Sequence, residues 1–323
     1  MTIVGTLIGA LIAAGAFFLA RWILEARRIA SERGTATPGP RPLALIIGFV
    51  TNFFDTLGIG SFATTTAAFR LLRLVPDELI PGTLIVGDTL AVLMQAVLFI
   101  SVVEVDPLQL AALIAVCVIG GWLGAGVVTK LSRRAIQLGI GVALIVAAVF
   151  MALGIFGLIP AGGTARALTP PAFVLALAVN FALGALLPLG IGNYAPSLVM
   201  FSLLGMDPRA AFPIMMGSGA FVATVAGVRF LSARRFHQQT ALALTLGGLP
   251  GVMAAVWIVK SLSLEGLRVL VLAVVLYAAI TLLRSGLSRY PDFPDSATTA
   301  GQNSEKRFRR KSSADDEPGG QAR

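Results

Sequence analysis

The chain has 323 residues, of which 56% are hydrophobic and only 13% charged, with a formal net charge of +9. A soluble domain keeps about a quarter of its residues charged, so this composition cannot cover a water-facing surface, and a mean hydropathy of +0.87 places the chain in a bilayer. One cysteine, Cys117, and one histidine, His237, exclude a disulfide framework and any multi-thiolate or paired-imidazole metal centre, so no cofactor is expected.

Charge-poor apolar stretches run from Thr2 to Ala20, Leu43 to Ile59, Ile80 to Val103, Leu108 to Thr129 and Ile136 to Ile159. Four more run from Ala172 to Ile191, Ala211 to Val228, Thr240 to Val259 and Leu267 to Leu283. A helical span needs about 20 apolar residues, and most of these qualify. The first has no basic region before it and is followed by Arg21, Arg27, Arg28 and Arg33. It therefore reads as a retained helix with its N-terminus outside, not as a signal peptide. Two stretches are interrupted. Leu43 to Leu57 meets Gly58-Ile59-Gly60-Ser61 before a short piece, Phe62 to Leu72. Ala172 to Leu187 meets Pro188-Leu189-Gly190-Ile191-Gly192-Asn193 before Tyr194 to Leu204.

These breaks belong to an internal repeat. A shift of 132 residues places Leu57-Gly58-Ile59-Gly60 on Leu189-Gly190-Ile191-Gly192, Phe69 on Phe201, Pro76 on Pro208, Pro81 on Pro213 and Gly87 on Gly219. With small gaps, Asn52 pairs with Asn180 and Gly120-Gly121 with Gly247-Gly248. The basic residues then fix the arrangement, because lysine and arginine collect on the cytoplasmic side. If each interrupted segment enters and returns on one side, the clusters Arg21 to Arg41, Arg70/Arg73, Lys130/Arg133/Arg134, Arg229/Arg234/Arg235 and Arg284/Arg289 all fall inside. The acidic loop Glu104-Val105-Asp106-Pro107 falls outside, with Arg166, Arg209 and Lys260. The same logic turns the high net charge into a mark of topology, with no nucleic-acid partner.

The expected fold is an all-α polytopic membrane protein. Residues 1–41 form an N-terminal helix and basic loop, and residues 42–160 and 170–286 form two inverted-topology repeats. Each repeat holds a broken re-entrant hairpin plus three spans, giving seven full spans and two hairpins. Residues 287–323 are polar and include Lys306-Arg307-Phe308-Arg309-Arg310-Lys311; they read as a disordered, solvated cytoplasmic tail, with contact of the basic run to anionic membrane lipid as the alternative.

Backbone that leaves helical geometry inside a bilayer must be buried or line a wet cavity, so the two glycine breaks are the natural site. Each is followed by a short helix whose first turn offers free N–H groups and a positive dipole end, which suits an anion. The candidate substrate contacts are Asn52, Gly58, Gly60, Ser61, Thr64 and Thr65 in the first repeat and Asn180, Gly190, Gly192, Asn193, Tyr194 and Ser197 in the second. The alternative is that Ser61 and Asn193 are ordinary helix caps, that the threonines bond their own helix, and that Asn52 and Asn180 are structural. Asp55 and Asp88 are acids in apolar stretches, where a carboxylate costs at least ~2.5 kcal/mol, and they are candidates for proton coupling. Asp88 matches Ala220 in the second repeat, so this function sits in one half only. Asp55 has a structural alternative, capping the broken helix or bonding the Gly-Ile-Gly amides. The glycine-rich runs at Gly120 and Gly247 read as helix-packing positions.

The run Asn52-Phe53-Phe54-Asp55-Thr56-Leu57-Gly58-Ile59-Gly60-Ser61, the second Gly190-Ile191-Gly192, and a twofold repeat after one leading helix resemble the TauE/SafE sulfite exporter family over about residues 43 to 284. The resemblance implies a multi-pass protein of the bacterial inner membrane that moves sulfite, sulfoacetate or another sulfur-containing organic anion. Here Ser61 and Asn193 follow Gly-Ile-Gly where the family commonly has a longer glycine run. The expected function is therefore a secondary transporter, an exporter of a small sulfur oxyanion, and not an enzyme. Its partners are that anion, membrane lipid and, as an option, further copies of itself. The competing reading is a polytopic membrane enzyme or an assembly subunit without transport, but an enzyme needs a convergent nucleophile or acid/base set that the chain does not offer.

Overall fold

Proline opens five helices, where its missing N–H costs nothing and its fixed φ suits a first turn: Pro42, Pro81, Pro107, Pro170 and Pro208 stand at or next to helix starts. The structure, a computed structural model, describes residues 2–33, 39, 41–128, 133–158, 163–187 and 193–287. Lys130, the Gly190 and Gly192 positions and the basic run Lys306 to Lys311 lie outside the described residues.

Among the described residues the protein is all-helical, with no strand beyond an isolated bridge between Ala165 and Met206. The helices are α1 (Ile3–Arg33), α2 (Pro42–Thr56), α3 (Phe62–Leu71), α4 (Ile80–Val102), α5 (Pro107–Val128), α6 (Arg133–Ile155), α7 (Pro170–Leu186), α8 (Tyr194–Leu203), α9 (Pro208–Ala233), α10 (Gln238–Ser261) and α11 (Leu264–Leu287). A short 3₁₀ turn, Asp77–Leu79, leads into α4. Among the described residues, six helical segments are long and apolar enough to cross a membrane: α1, Asp77–Val102, α6, α9, α10 and α11. The described apolar part of α5, Pro107–Leu123, is shorter than the seventh full span expected there.

The outer surface is apolar, with Trp122, Phe150, Leu175 and Trp257 all at least half exposed, as a lipid-facing surface must be. The interior holds much of the polarity: Asn52, Thr56, Gln95, Asn180 and Ser197 are fully buried. Helices α4 and α9 pack together at the centre, with α4 also against α10 and α9 also against α5. The two most extensive flanking contacts are α2 on α10 and α7 on α5. Glycine makes both close. A Cβ on Gly247 would overlap the Leu45 carbonyl oxygen of α2, and one on Gly184 would overlap the Cys117 carbonyl oxygen of α5.

Polar contacts tie the helix ends into two groups. Arg41, just before α2, donates to the Leu74 carbonyl just after α3 at 3.0 Å, so the start of α2 and the end of α3 lie together. His237 donates its backbone N–H to Thr83 Oγ1 at 2.8 Å, and Arg234 bonds both Glu25 and Glu32, which brings in the ends of α1, α4, α9 and α10. The second group holds Glu104 paired with Arg166, Leu168 N–H donating to Gln109 Oε1, and Asp207 N–H donating to the Ala165 carbonyl. It joins the start of α7, the end of α8, the end of α4 and the starts of α5 and α9.

Candidate functional site

The first break falls where the glycines stand. Helix α2 ends at Thr56 and α3 begins at Phe62, with Gly58 at φ +99° and Gly60 at φ +85°, a backbone region costly to any residue with a Cβ. A Cβ on Gly58 would touch Leu198 Cδ1 at 3.0 Å and Val274 at 3.5 Å, so this break meets α8 and α11.

Around it lies a buried polar network. Asp55 Oδ1 accepts from the Ser61 backbone N–H at 2.7 Å and Asp55 Oδ2 from Gln95 Nε2 at 3.0 Å. Asp88 Oδ1 accepts from Asn52 Nδ2 at 3.0 Å and Asp88 Oδ2 from Ser61 Oγ at 3.3 Å. Gln95 Nε2 also donates to Thr56 Oγ1 at 2.8 Å, and Thr56 donates in turn to the Asn52 carbonyl at 2.7 Å. Helix spacing explains the convergence. Asn52, Asp55 and Thr56 share one face of α2 at intervals of three and four, while Asp88 and Gln95 are two turns apart on α4. No ion pair to either carboxylate is formed among the described residues.

The two helix starts differ in a way that the sequence pattern does not express. Neither Ser61 nor Asn193 makes a side-chain cap bond. At the head of α3, Ser61 N–H is taken by Asp55, which is the structural role weighed for that aspartate, and Ser61 Oγ faces Asp88. The first anion seat is therefore filled by the protein's own carboxylates. Thr64 bonds back to the Ser61 carbonyl at 2.9 Å, whereas Thr65 is buried with its hydroxyl unpartnered among the described residues. At the head of α8, among the described residues, no carboxylate bonds the Asn193 or Ser197 side chain, although Asp55 and Asp88 lie near enough to act on the Tyr194 hydroxyl. Asn193 is 1% exposed with both amide atoms unpartnered among the described residues, and Ser197 is fully buried with its hydroxyl likewise unpartnered. The Tyr194 hydroxyl stands beside α9, 3.4 Å from where a Cβ on Gly219 would lie.

Asn52 and Asn180 have clear packing partners. Asn52 donates also to the Gly48 carbonyl, and Asn180 donates across to the Leu113 carbonyl of α5 at 2.7 Å. Gly190 and Gly192, the remaining candidates, lie outside the described residues. Sequence reasoning missed Gln95 and Thr56. The signal for Gln95 was available, since it is an amide in the apolar stretch that holds Asp88, seven residues on. Comparison with protein-family models, characterised proteins and solved structures found no match.

Proposed function

We propose that the protein is a secondary transporter, working as an exporter, for a small sulfur-containing oxyanion such as sulfite or an organosulfonate across a bacterial inner membrane. The observation that carries this reading is the start of α8, where Asn193 and Ser197 are buried with side-chain atoms unpartnered among the described residues, beside the first-turn N–H groups of a short helix. A buried polar group without a partner costs about 1–3 kcal/mol, and a bound oxyanion would recover that cost. The resemblance to the TauE/SafE family supplies the sulfur chemistry.

The proposal includes two inverted repeats with re-entrant hairpins. Its support is the exchange of partners between halves: α2 lies on α10, the counterpart of α5, while α7 lies on α5 itself. The grouped ends add to it, since α2 and α3 begin and finish beside Arg41 and Leu74, and α7 and α8 beside Ala165 and Asp207. Such symmetry serves alternating access around a central site. In this reading the substrate seat belongs to the α8 half. The carboxylates Asp55 and Asp88 meet the coupling cation, which the sequence alone suggested to be a proton.

The test is flux of a panel of sulfur oxyanions through membrane vesicles. At least one should move, and Ser197→Ala should weaken its apparent binding by about 0.5–1.5 kcal/mol, the net worth of one hydrogen bond. Flux of no panel member, or unchanged affinity in both Ser197→Ala and Asn193→Ala, would sink the proposal.

A further inference from the structure

We propose that Asp55, Asp88 and the buried amide and hydroxyl oxygens around them form a binding site for an alkali cation, sodium foremost, at the end of α2. Its role as a coupling ion rests on the transporter reading above, whereas its binding does not.

All four oxygens of the two acids are engaged, three by N–H donors that only a lone pair can meet and the fourth, Asp88 Oδ2, by the Ser61 hydroxyl. The orientation of the two amides is fixed by their other bonds. Asn52 Nδ2 also reaches the Gly48 carbonyl, so it is the nitrogen that faces Asp88. Gln95 Nε2 reaches Thr56 Oγ1, whose own proton is committed to the Asn52 carbonyl, so Gln95 too must present its nitrogen to Asp55. Two buried carboxyl groups thus stand without a basic partner among the described residues, beside the negative dipole end of α2, so a proton or a bound cation must neutralise them. Leaving such charge uncompensated in a low-dielectric interior is prohibitive.

A second, independent observation points to the same ligand. Asn52 Oδ1, Gln95 Oε1 and Thr65 Oγ1 are fully buried oxygens with no hydrogen-bond partner among the described residues. Two belong to the amides whose nitrogens bond the carboxylates, and Thr65 lies one turn beyond Ser61 on α3. Carboxylate, amide and hydroxyl oxygens are the ligands of hard cations. Among the described residues no group of three metal-holding side chains exists. A pair of acids with neutral oxygens suits a monovalent ion better than the acid-rich cages that hold calcium. The setting is also the one that broken membrane helices use, an ion at the C-terminal end of the first half-helix.

The experiment uses the full chain purified in detergent, with sodium exchanged for choline at constant ionic strength. Sodium should raise Tm saturably, and radioactive sodium should bind and be displaced by unlabelled sodium. Asp55→Asn and Asp88→Asn should abolish the shift. Gln95→Leu, which keeps both acids, should weaken sodium binding about 10–100-fold, because it removes the Oε1 oxygen and the donor that orients Asp55. No sodium binding by the wild-type chain overturns the site, whatever the variants do. So does a Tm that follows pH while ignoring sodium, a response to calcium or magnesium alone, or an undiminished shift in both aspartate variants. Because none of these readings needs substrate, sodium binding with a silent oxyanion panel would retain the cation site and remove the anion reading.

Discussion

Gln95 gives one amide nitrogen to both Asp55 and Thr56, and so ties the last turn of α2 to the middle of α4. Removing it leaves Asp55 Oδ2 without its donor, a loss of about 1–3 kcal/mol for a buried group, while interhelical bonds within membranes average nearer ~0.6 kcal/mol. The charged acceptor favours the larger figure. Gln95→Leu should therefore destabilise the protein by about 1–3 kcal/mol with Asp55 present, and by less than ~1 kcal/mol in an Asp55→Ala background, as measured by equilibrium unfolding in mixed micelles. Equal losses in the two backgrounds would show that the bond carries nothing. At this scale the acids were legible in the sequence because an ionisable group in an apolar run has no cheap place to sit. Their direction was not. That Asp55 turns onto Ser61 N–H, and so fills the anion seat of its own half, depends on the path of the break and on the face of α4 opposite, which one-dimensional spacing does not carry.

The helices themselves were readable from apolar length, proline and glycine. The first break, Thr56 to Phe62, falls on the predicted Gly58-Ile59-Gly60-Ser61, because only glycine tolerates the positive φ found at Gly58 and Gly60. Pairing was harder to see. Glycines at 120 and 247 announced close packing, yet nothing in the pattern named α7 as the partner of α5 or α2 as the partner of α10. The interface gives a graded expectation. A methyl group on Gly184 or Gly247 would meet backbone oxygen that cannot swing away, so Gly184→Ala and Gly247→Ala should each cost about 1–3 kcal/mol through overpacking. On α6, a Cβ at Gly139 meets nothing within 4 Å, and Gly139→Ala should stabilise by about 0.5–1 kcal/mol through lost unfolded-state freedom. Thermal unfolding of the three variants in one detergent checks both signs. Equal stability across the set would mean that α2–α10 and α5–α7 do not pack as closely as the fold requires.

At the scale of the whole molecule, the grouping of helix ends by hydrogen bonds follows the side assignment proposed from charge. The end that gathers Arg41, Leu74, Thr83, Arg234 and His237 also carries the arginines that the positive-inside rule assigns to the cytoplasm. The end that gathers Glu104, Arg166 and Asp207 is the one assigned outside. The decisive residue is Arg73, just beyond α3. If α2 and α3 enter and return, Arg73 shares a side with Arg28 and faces Glu104 across α4; if together they cross, Arg73 lies opposite Arg28 and Glu104 moves to the Arg28 side. In a Cys117→Ala background, single cysteines at positions 28, 73 and 104 report this directly, because the native thiol is buried and its removal leaves no competing site. A membrane-impermeant maleimide added to intact cells should label the chain carrying Glu104→Cys alone, and those carrying Arg28→Cys and Arg73→Cys only after permeabilisation. Labelling of Arg73→Cys from outside would make α2 and α3 a crossing segment. It would reverse every later helix relative to the bilayer and place Arg234 and Arg235 on the outer face, against the charge rule that the remainder of the chain obeys.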